Sequence, residues 1–121
     1  MNKSLSDIQK EYIEFRKERG WKLDDPNMVL CSLIVELGEL AEHFQWKKKK
    51  HEMNEEDRTS FGYEFVDVLN YLMAIADIYD IDIQEYWEQK MPKLRKKFPI
   101  GKDSLEANKE YRDMGKSKLY E

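Results

Sequence analysis

The sequence has 121 residues, of which 38% are charged, and its 25 acidic and 21 basic residues give a formal net charge of −4. This length predicts one domain, and the mild acidic excess argues against a protein that binds nucleic acid polymers through a basic face. The single cysteine excludes a disulfide within the chain, and no apolar run approaches the roughly 20 residues that cross a bilayer. We therefore expect a cytoplasmic protein without membrane contact.

Apolar residues recur at helical spacing through most of the chain, and Gly and Pro are scarce, which predicts an all-α fold. The first helix is predicted over residues 6–19, because Ser6 and Gln9 have the capping-box spacing and Gly20 follows the last apolar position. The second helix is predicted over residues 26–46, after a loop that contains both Asp and Pro.

A third helix is predicted to follow Asn54, a suitable N-cap residue with three acids behind it, and to end near Tyr79. Asp82 and Glu85 have the capping-box spacing again and predict the start of a fourth helix. Pro92 is expected to bend or interrupt that helix, since proline removes a backbone donor.

The second and third predicted helices are apolar on nearly every side, over residues 28–40 and 61–76. Cys31 lies in the first of these runs and is expected to be a small core residue. A chain of four helices cannot bury both runs alone, so we predict a homo-oligomer built on these helices. Residues 1–100 are predicted to form one four-helix bundle-like domain, and residues 101–121 a polar tail.

Two pairs of carboxylates lie inside these apolar runs, and each pair has a spacing of three residues. Glu36 and Glu39 belong to the second predicted helix, and Glu64 and Asp67 belong to the third. Removing a carboxylate from water costs several kcal/mol unless a partner compensates it. If the two helices pack antiparallel, the four side chains converge, and oxygen ligands of this kind suit Mg²⁺. The sequence therefore predicts a magnesium site.

Spacing alone is weak support for such a site, because other acidic pairs of the chain share it and are ordinary solvated pairs or helix caps. Glu11 with Glu14 is one example. A di-iron site needs Glu-x-x-His motifs, and His43 lies one residue after Glu42 and four after Glu39, so that spacing fails. Zinc is disfavoured by the presence of one Cys and two unrelated His residues.

The same four acids resemble the motif of the MazG-like, all-α nucleoside triphosphate pyrophosphohydrolase superfamily, which has Glu-x-x-Glu on one helix and Glu-x-x-Asp on the next. The similarity extends from about Phe15 to Pro99. The segments FRKERGW, PNMVLCSLIVELGELAEHFQW, EFVDVLNYL and KMPKLRKKFP look most like the dCTP pyrophosphatase branch.

The resemblance implies hydrolysis of a (deoxy)nucleoside triphosphate to the monophosphate and pyrophosphate, with Mg²⁺ or Mn²⁺ as the cofactor. It also implies a homodimer or a homotetramer with active sites at the subunit interface. In the dCTP-selective branch a histidine lies where this chain has Asp24 and Asp25, and an asparagine lies where it has Leu94. The chemistry is therefore expected to carry over better than the base preference.

Five further residues are predicted to contact the substrate. Trp46 matches an aromatic residue that the superfamily places beside the base, and Trp21 is a second candidate for stacking. Asn70 follows Asp67 by three residues, and Lys90 lies in the segment that resembles the phosphate-binding end of the superfamily. Lys47 closely follows the first acidic pair. Each has a plain alternative, which is packing for the tryptophans and solvation for the polar residues.

Two alternatives to a dCTP-like enzyme remain open at this point. The first is a non-catalytic helical module that binds a nucleotide or regulates another protein, and such a module need not keep all four acids. The second is another enzyme of the superfamily, such as a phosphoribosyl-ATP or dUTP pyrophosphohydrolase.

Overall fold

The computed structural model describes residues 2–21, 25–46, 52–101 and 109. Within them it contains four α-helices and no strand, which confirms the all-α prediction: α1 is Leu5–Glu18, α2 is Pro26–Trp46, α3 is Glu55–Ile78 and α4 is Ile83–Lys97. The bounds of α2 agree with those predicted. Asn54 caps α3 as expected, because its side chain accepts a hydrogen bond from the backbone N–H of Asp57 while the Asp57 carboxylate accepts one from the backbone N–H of Asn54.

The predicted N-cap of the first helix is wrong by two residues. Ser4 is the N-cap, and it forms the capping box with Asp7. These contacts with Ser4 lower the pKa of Asp7 below its ordinary value. Ser6 and Gln9 were expected to form that box. They lie inside α1, and their side chains instead bind residues 81–83, between α3 and α4.

Those two side chains connect α1 to the turn that follows α3. The Ser6 hydroxyl donates to the carboxylate of Asp82 at 2.8 Å. The buried Gln9 amide donates to the carbonyl of Ile81 at 2.8 Å and accepts from the backbone N–H of Ile83 at 3.0 Å. Both polar ends of Gln9 are therefore satisfied, which makes its burial inexpensive.

The end of α1 and the course of α4 give one confirmation and one correction. Gly20 has a φ of 68°, and the N–H of Trp21 bonds back to the carbonyl of Arg16 at 2.9 Å, so glycine ends this helix as predicted. The prediction that Pro92 interrupts the fourth helix is wrong, since α4 continues through Pro92 to Lys97.

α2 and α3 pack against each other in opposite directions. Phe44, near the end of α2, contacts Phe61, near the start of α3, with ring centroids 5.5 Å apart. Val29, near the start of α2, lines the same cavity as Tyr71 from the second half of α3. α3 also packs against α1, and the buried core includes Met73, whose exposed fraction is 0%. This antiparallel pair is the arrangement that brings the two acidic motifs together.

Large apolar side chains remain exposed on both helices, among them Met28 at 71% and Val35 at 59%. Cys31 is exposed as well, so its predicted place in the core is wrong. The exposed surface of α2 therefore includes many large apolar side chains.

The chain divides into two compact units, residues 1–83 and 84–121. The first contains α1, α2 and α3, and the second contains nearly all of α4. In the ranges that the structure describes, no helix has both the length and the hydropathy that crossing a bilayer requires.

Candidate functional site

The four predicted acids lie on the facing helices α2 and α3, and the structure brings them together. Burial raises the pKa of Glu36 above its ordinary value, and the negative charges of Glu39, Asp67 and Glu64 raise it further. The Glu36 carboxyl group on α2 is therefore close enough to the two acids of α3, and to Glu39 on its own helix, for their charges to affect its pKa. Residues 64 and 67 reach Glu36 because the antiparallel packing places the middle of α3 beside the middle of α2.

Two buried oxygen atoms of this acidic cluster make no hydrogen bond. Oε2 of Glu36 and Oε2 of Glu64 are buried without a hydrogen bond, whereas Glu39 and Asp67 are exposed. An unpartnered carboxylate oxygen inside a protein is costly, and a bound cation is one way to satisfy it. The donor atoms are all oxygens, which suits a hard divalent cation.

The cluster does not form a finished metal site as it stands. Among the described residues, no group of three or more His, Cys, Asp or Glu side chains has its donors arranged to hold an ion. The four carboxylates fit Mg²⁺ by donor type, because all of them supply oxygen atoms, and the buried Oε2 of Glu36 has no hydrogen bond.

His43 belongs to this cluster, although the sequence analysis set it aside. Its Nε2 lies 2.9 Å from Oε2 of Glu64, and its ring packs against Phe61 with centroids 5.1 Å apart. At this distance the contact is an ion-pair contact when His43 is protonated, but it is not a hydrogen bond, and Nδ1 of His43 is also buried without one. His43 follows Glu36 by seven residues and Glu39 by four, so helical spacing alone places it on the acidic side of α2.

A cavity of about 380 Å³ lies one helical turn from the acidic cluster. Ser32, four residues before Glu36, and Tyr71, four residues after Asp67, both line it. The lining also includes two further aromatic residues and one buried cation, namely Tyr12, Trp21 and Arg16. Asp25 also contributes to it.

The two tryptophans predicted to stack on a base occupy different places. Trp21 lines the cavity beside the start of α2. Trp46 is the last residue of α2. It follows Glu36 by ten residues, so its backbone lies about 15 Å along the helix from Glu36, on the side away from the cavity. The backbone of Trp46 is therefore farther from this cavity than that of Trp21.

The remaining predicted residues are less closely tied to the cluster. Asn70 is half-buried on α3, three residues after Asp67. Lys90 lies on α4 in the second compact unit, and its pKa is lowered by burial and by the positive charges of Lys97 and Lys93. Lys47 lies outside the described residues, as does Asp24.

Comparison with known proteins gives consistent matches. A family model described as dUTPase matches residues 2–116. The dCTP pyrophosphatase 1 of Rattus norvegicus is 33% identical over 123 residues, which cover 98% of this chain and 72% of the relative. The dCTP pyrophosphatase 1 of Homo sapiens is 35% identical over 101 residues, which cover 79% of this chain and 59% of the relative.

One solved structure is similar in both sequence and fold. A pyrophosphatase from Archaeoglobus fulgidus has a TM-score of 0.66 and 31% sequence identity, and the match covers 83% of this chain and 96% of that chain. The similarity therefore extends over nearly the whole length of the Archaeoglobus fulgidus pyrophosphatase.

Proposed function

Since this chain belongs to the dUTPase family, within the MazG-like all-α nucleoside triphosphate pyrophosphohydrolases, we propose that it hydrolyses (deoxy)nucleoside triphosphates to the monophosphate and pyrophosphate. The observation that carries this proposal is the convergence of Glu36, Glu39, Glu64 and Asp67, expressed in the raised pKa of Glu36. Four like charges brought together in a partly buried setting require a cationic partner.

Mg²⁺ is the proposed cofactor, with Mn²⁺ as the alternative, and these four carboxylates would hold it. When bound, the ion neutralises the charge of the triphosphate and lowers the pKa of a water molecule that can attack phosphorus. The exposed carboxylates of Glu39 and Asp67 are accessible to the ion from solvent. Glu36 and Glu64, each with a buried oxygen, fix the other side of the cluster.

The cavity beside the acidic cluster is the proposed site of the base. Its aromatic lining provides flat apolar surfaces, and Trp21 in particular can stack on a base. The distance of one turn from the acids matches a nucleotide whose base and triphosphate bind side by side. We propose a dCTP-like preference, in keeping with the names of the relatives. dUTP is the competing substrate, because the matching family model is described by that activity.

Asn70 and Lys90 are proposed to contact the substrate around its phosphates. Asn70 follows Asp67 on α3, so its amide can bind a phosphate oxygen or a water molecule next to the ion. The lowered pKa of Lys90 reflects burial beside Lys97 and Lys93, and an anionic phosphate would offset that repulsion. Lys47 and Trp46 stay predictions of the same kind.

We also propose that the protein is a cytoplasmic homodimer or homotetramer. The exposed apolar side chains of α2 and α3 are the surface that a second copy would cover. A chain with one cysteine has no need of an oxidising compartment.

The proposed reaction is tested by incubating the purified protein with each of the common dNTPs and NTPs, with Mg²⁺ or with EDTA. We expect monophosphate and pyrophosphate in equal amounts, no free phosphate, and no turnover in EDTA. Release of phosphate instead of pyrophosphate would place the cleavage at a different bond. A folded protein that binds nucleotides but turns none over would support the non-catalytic module.

His43 is expected to position Glu64 for metal binding. Its imidazole lies against Oε2 of that carboxylate and is held by the Phe61 ring. We expect His43→Leu to weaken Mn²⁺ binding about 10-fold, as the loss of a residue that orients a ligand commonly does. His43→Gln, which keeps a polar group, should recover part of the affinity. The affinity is measured by titration without nucleotide, with Gln45→Leu on the exposed side of α2 as the control. Equal affinity in His43→Leu and the wild type would contradict this role.

A further inference from the structure

Arg16 is a buried cation in the wall of the cavity beside the acidic cluster. Its exposed fraction is 9%. Nη1 donates to the hydroxyl of Tyr12 at 2.8 Å, and the guanidinium lies 5.6 Å from the ring centroids of both Tyr12 and Trp21. Two aromatic rings and one hydrogen bond therefore hold the group in place.

One nitrogen of this guanidinium is left unsatisfied. Nε is buried and has no hydrogen-bond partner. Among the described residues, no carboxylate lies within ion-pair distance of Arg16, even though Asp25 lines the same cavity. A guanidinium has five N–H donors and no acceptor, and burying it with so few partners costs free energy. An acceptor supplied by a ligand in the cavity would recover that cost.

The geometry of the guanidinium shows which of its edges is available to bind such a ligand. Nη1 is engaged by Tyr12, and the adjacent edge carries Nε–H and one Nη2–H pointing in the same direction. This fork matches two neighbouring acceptor atoms in one plane. The aromatic walls formed by Tyr12 and Trp21 favour a flat ring as the carrier of those acceptors.

We infer that Arg16 is a specificity-determining residue that reads the base of the substrate through the Nε–Nη2 edge. This inference rests on the proposed function. Cytosine presents O2 and N3 as adjacent acceptors, and guanine presents O6 and N7. Uracil and thymine place the N3–H donor between their two carbonyls, so the fork meets a donor. The site is thus matched to cytosine and rejects uracil, which favours dCTP over dUTP.

Entry of the base requires one local movement. Nε is out of contact with solvent in the free protein, and the Trp21 ring lies over the guanidinium with 50% of the side chain exposed. An exposed ring at the rim can swing outward without leaving a void in the core. Trp21 then covers the bound base, which agrees with its proposed stacking role.

The test compares Arg16→Gln and Arg16→Lys with the wild type and with Arg19→Gln. Arg19 is the exposed C-cap residue of α1 and stacks on Phe15, so its substitution controls for the loss of one positive charge. The readouts are the ratio of kcat/KM for dCTP to that for dUTP, and the affinities for dCMP and dUMP without metal. Thermal unfolding of each variant shows whether it is folded.

We expect Arg16→Gln to reduce the dCTP/dUTP ratio about 10- to 100-fold, the range for one bidentate arginine–base contact. Turnover of dUTP should fall less than turnover of dCTP, because uracil makes no bidentate contact with the fork. Arg16→Lys should not restore the ratio, because an ammonium group offers no planar fork. Loss of dCMP affinity without loss of dUMP affinity would support the inference even if the protein hydrolysed no triphosphate. A preference for dGTP that Arg16→Gln removes would support the same fork on guanine.

Two results would overturn the inference while leaving the proposed function intact. The first is an unchanged dCTP/dUTP ratio in folded Arg16→Gln. The second is a wild-type preference for dUTP or dTTP, which the fork does not allow. If the Gln variant unfolds, the folded Lys variant decides the question, since it keeps the charge and much of the side-chain volume but loses the paired donors.

Discussion

Replacing Asp67 or Glu39 by alanine is expected to lower Mg²⁺-dependent pyrophosphate release by on the order of 10³-fold or more, the scale of losing a group on which the chemistry depends. Both side chains are exposed, so neither substitution opens a cavity in the core. Removing one of four clustered negative charges should even relieve repulsion on Glu36, whose pKa they raise. We therefore expect each variant to be at least as stable as the wild type while being inactive.

The measurement is pyrophosphate release at saturating substrate, with thermal unfolding recorded in parallel. Glu42→Ala and Asp77→Ala are the matched controls, since these acids are exposed on the same two helices and do not contribute to the raised pKa of Glu36. They should keep near wild-type turnover. Substantial turnover in folded Asp67→Ala and Glu39→Ala would remove both carboxylates from the proposed metal site.

The acidic cluster was predictable because its signal is local. Carboxylates three residues apart project from one side of a helix, and the apolar residues around them indicate a helix that packs. The same holds for α3, whose capping box combines Asn54 with Asp57 three residues later. A structural feature that depends only on residues within one short segment can be predicted from the sequence of that segment.

The start of α1 shows where local reasoning becomes ambiguous. Ser4 with Asp7 and Ser6 with Gln9 have the same spacing, and nothing within α1 decides between them. The structure decides through contacts distant in sequence, because Ser6 binds Asp82 and Gln9 binds the backbone around it. The N-cap lies two residues earlier than predicted, and the second pair instead fixes the turn after α3.

Arg16 and His43 were missed for a related reason. A charged residue on an amphipathic helix is usually solvated, so Arg16 gave no reason to expect a buried guanidinium between two rings. His43 was judged against a di-iron motif and set aside, although its position on the acidic side of α2 follows from spacing alone. Asking which polar residues share a helical face with the acids would have found it.

Substituting an apolar residue on the outer surface of α2 by aspartate is expected to convert the proposed oligomer into monomers. Ile34 and Val35 have exposed fractions of 58% and 59%, and a second copy that covers them would bury both. Placing one carboxylate in such an interface costs several kcal/mol, because the charge loses its hydration without gaining a partner. Ile34→Asp, on the side of α2 opposite Glu36 and Glu39, should therefore raise the dimer dissociation constant at least about 100-fold, which corresponds to roughly 2.8 kcal/mol.

Light scattering coupled to size-exclusion chromatography measures this change directly, over a range of protein concentrations. We expect a wild-type mass of two or four chains, with a thermal midpoint that rises with concentration because association stabilises the folded state. Ile8→Asp is the control, since Ile8 is an exposed apolar residue of α1 and lies outside this surface. A wild-type monomer at every concentration would contradict the proposed assembly. In that case the exposed apolar side chains of α2 need a partner of a different kind, since a surface this rich in isoleucine, valine and methionine is costly to leave in water.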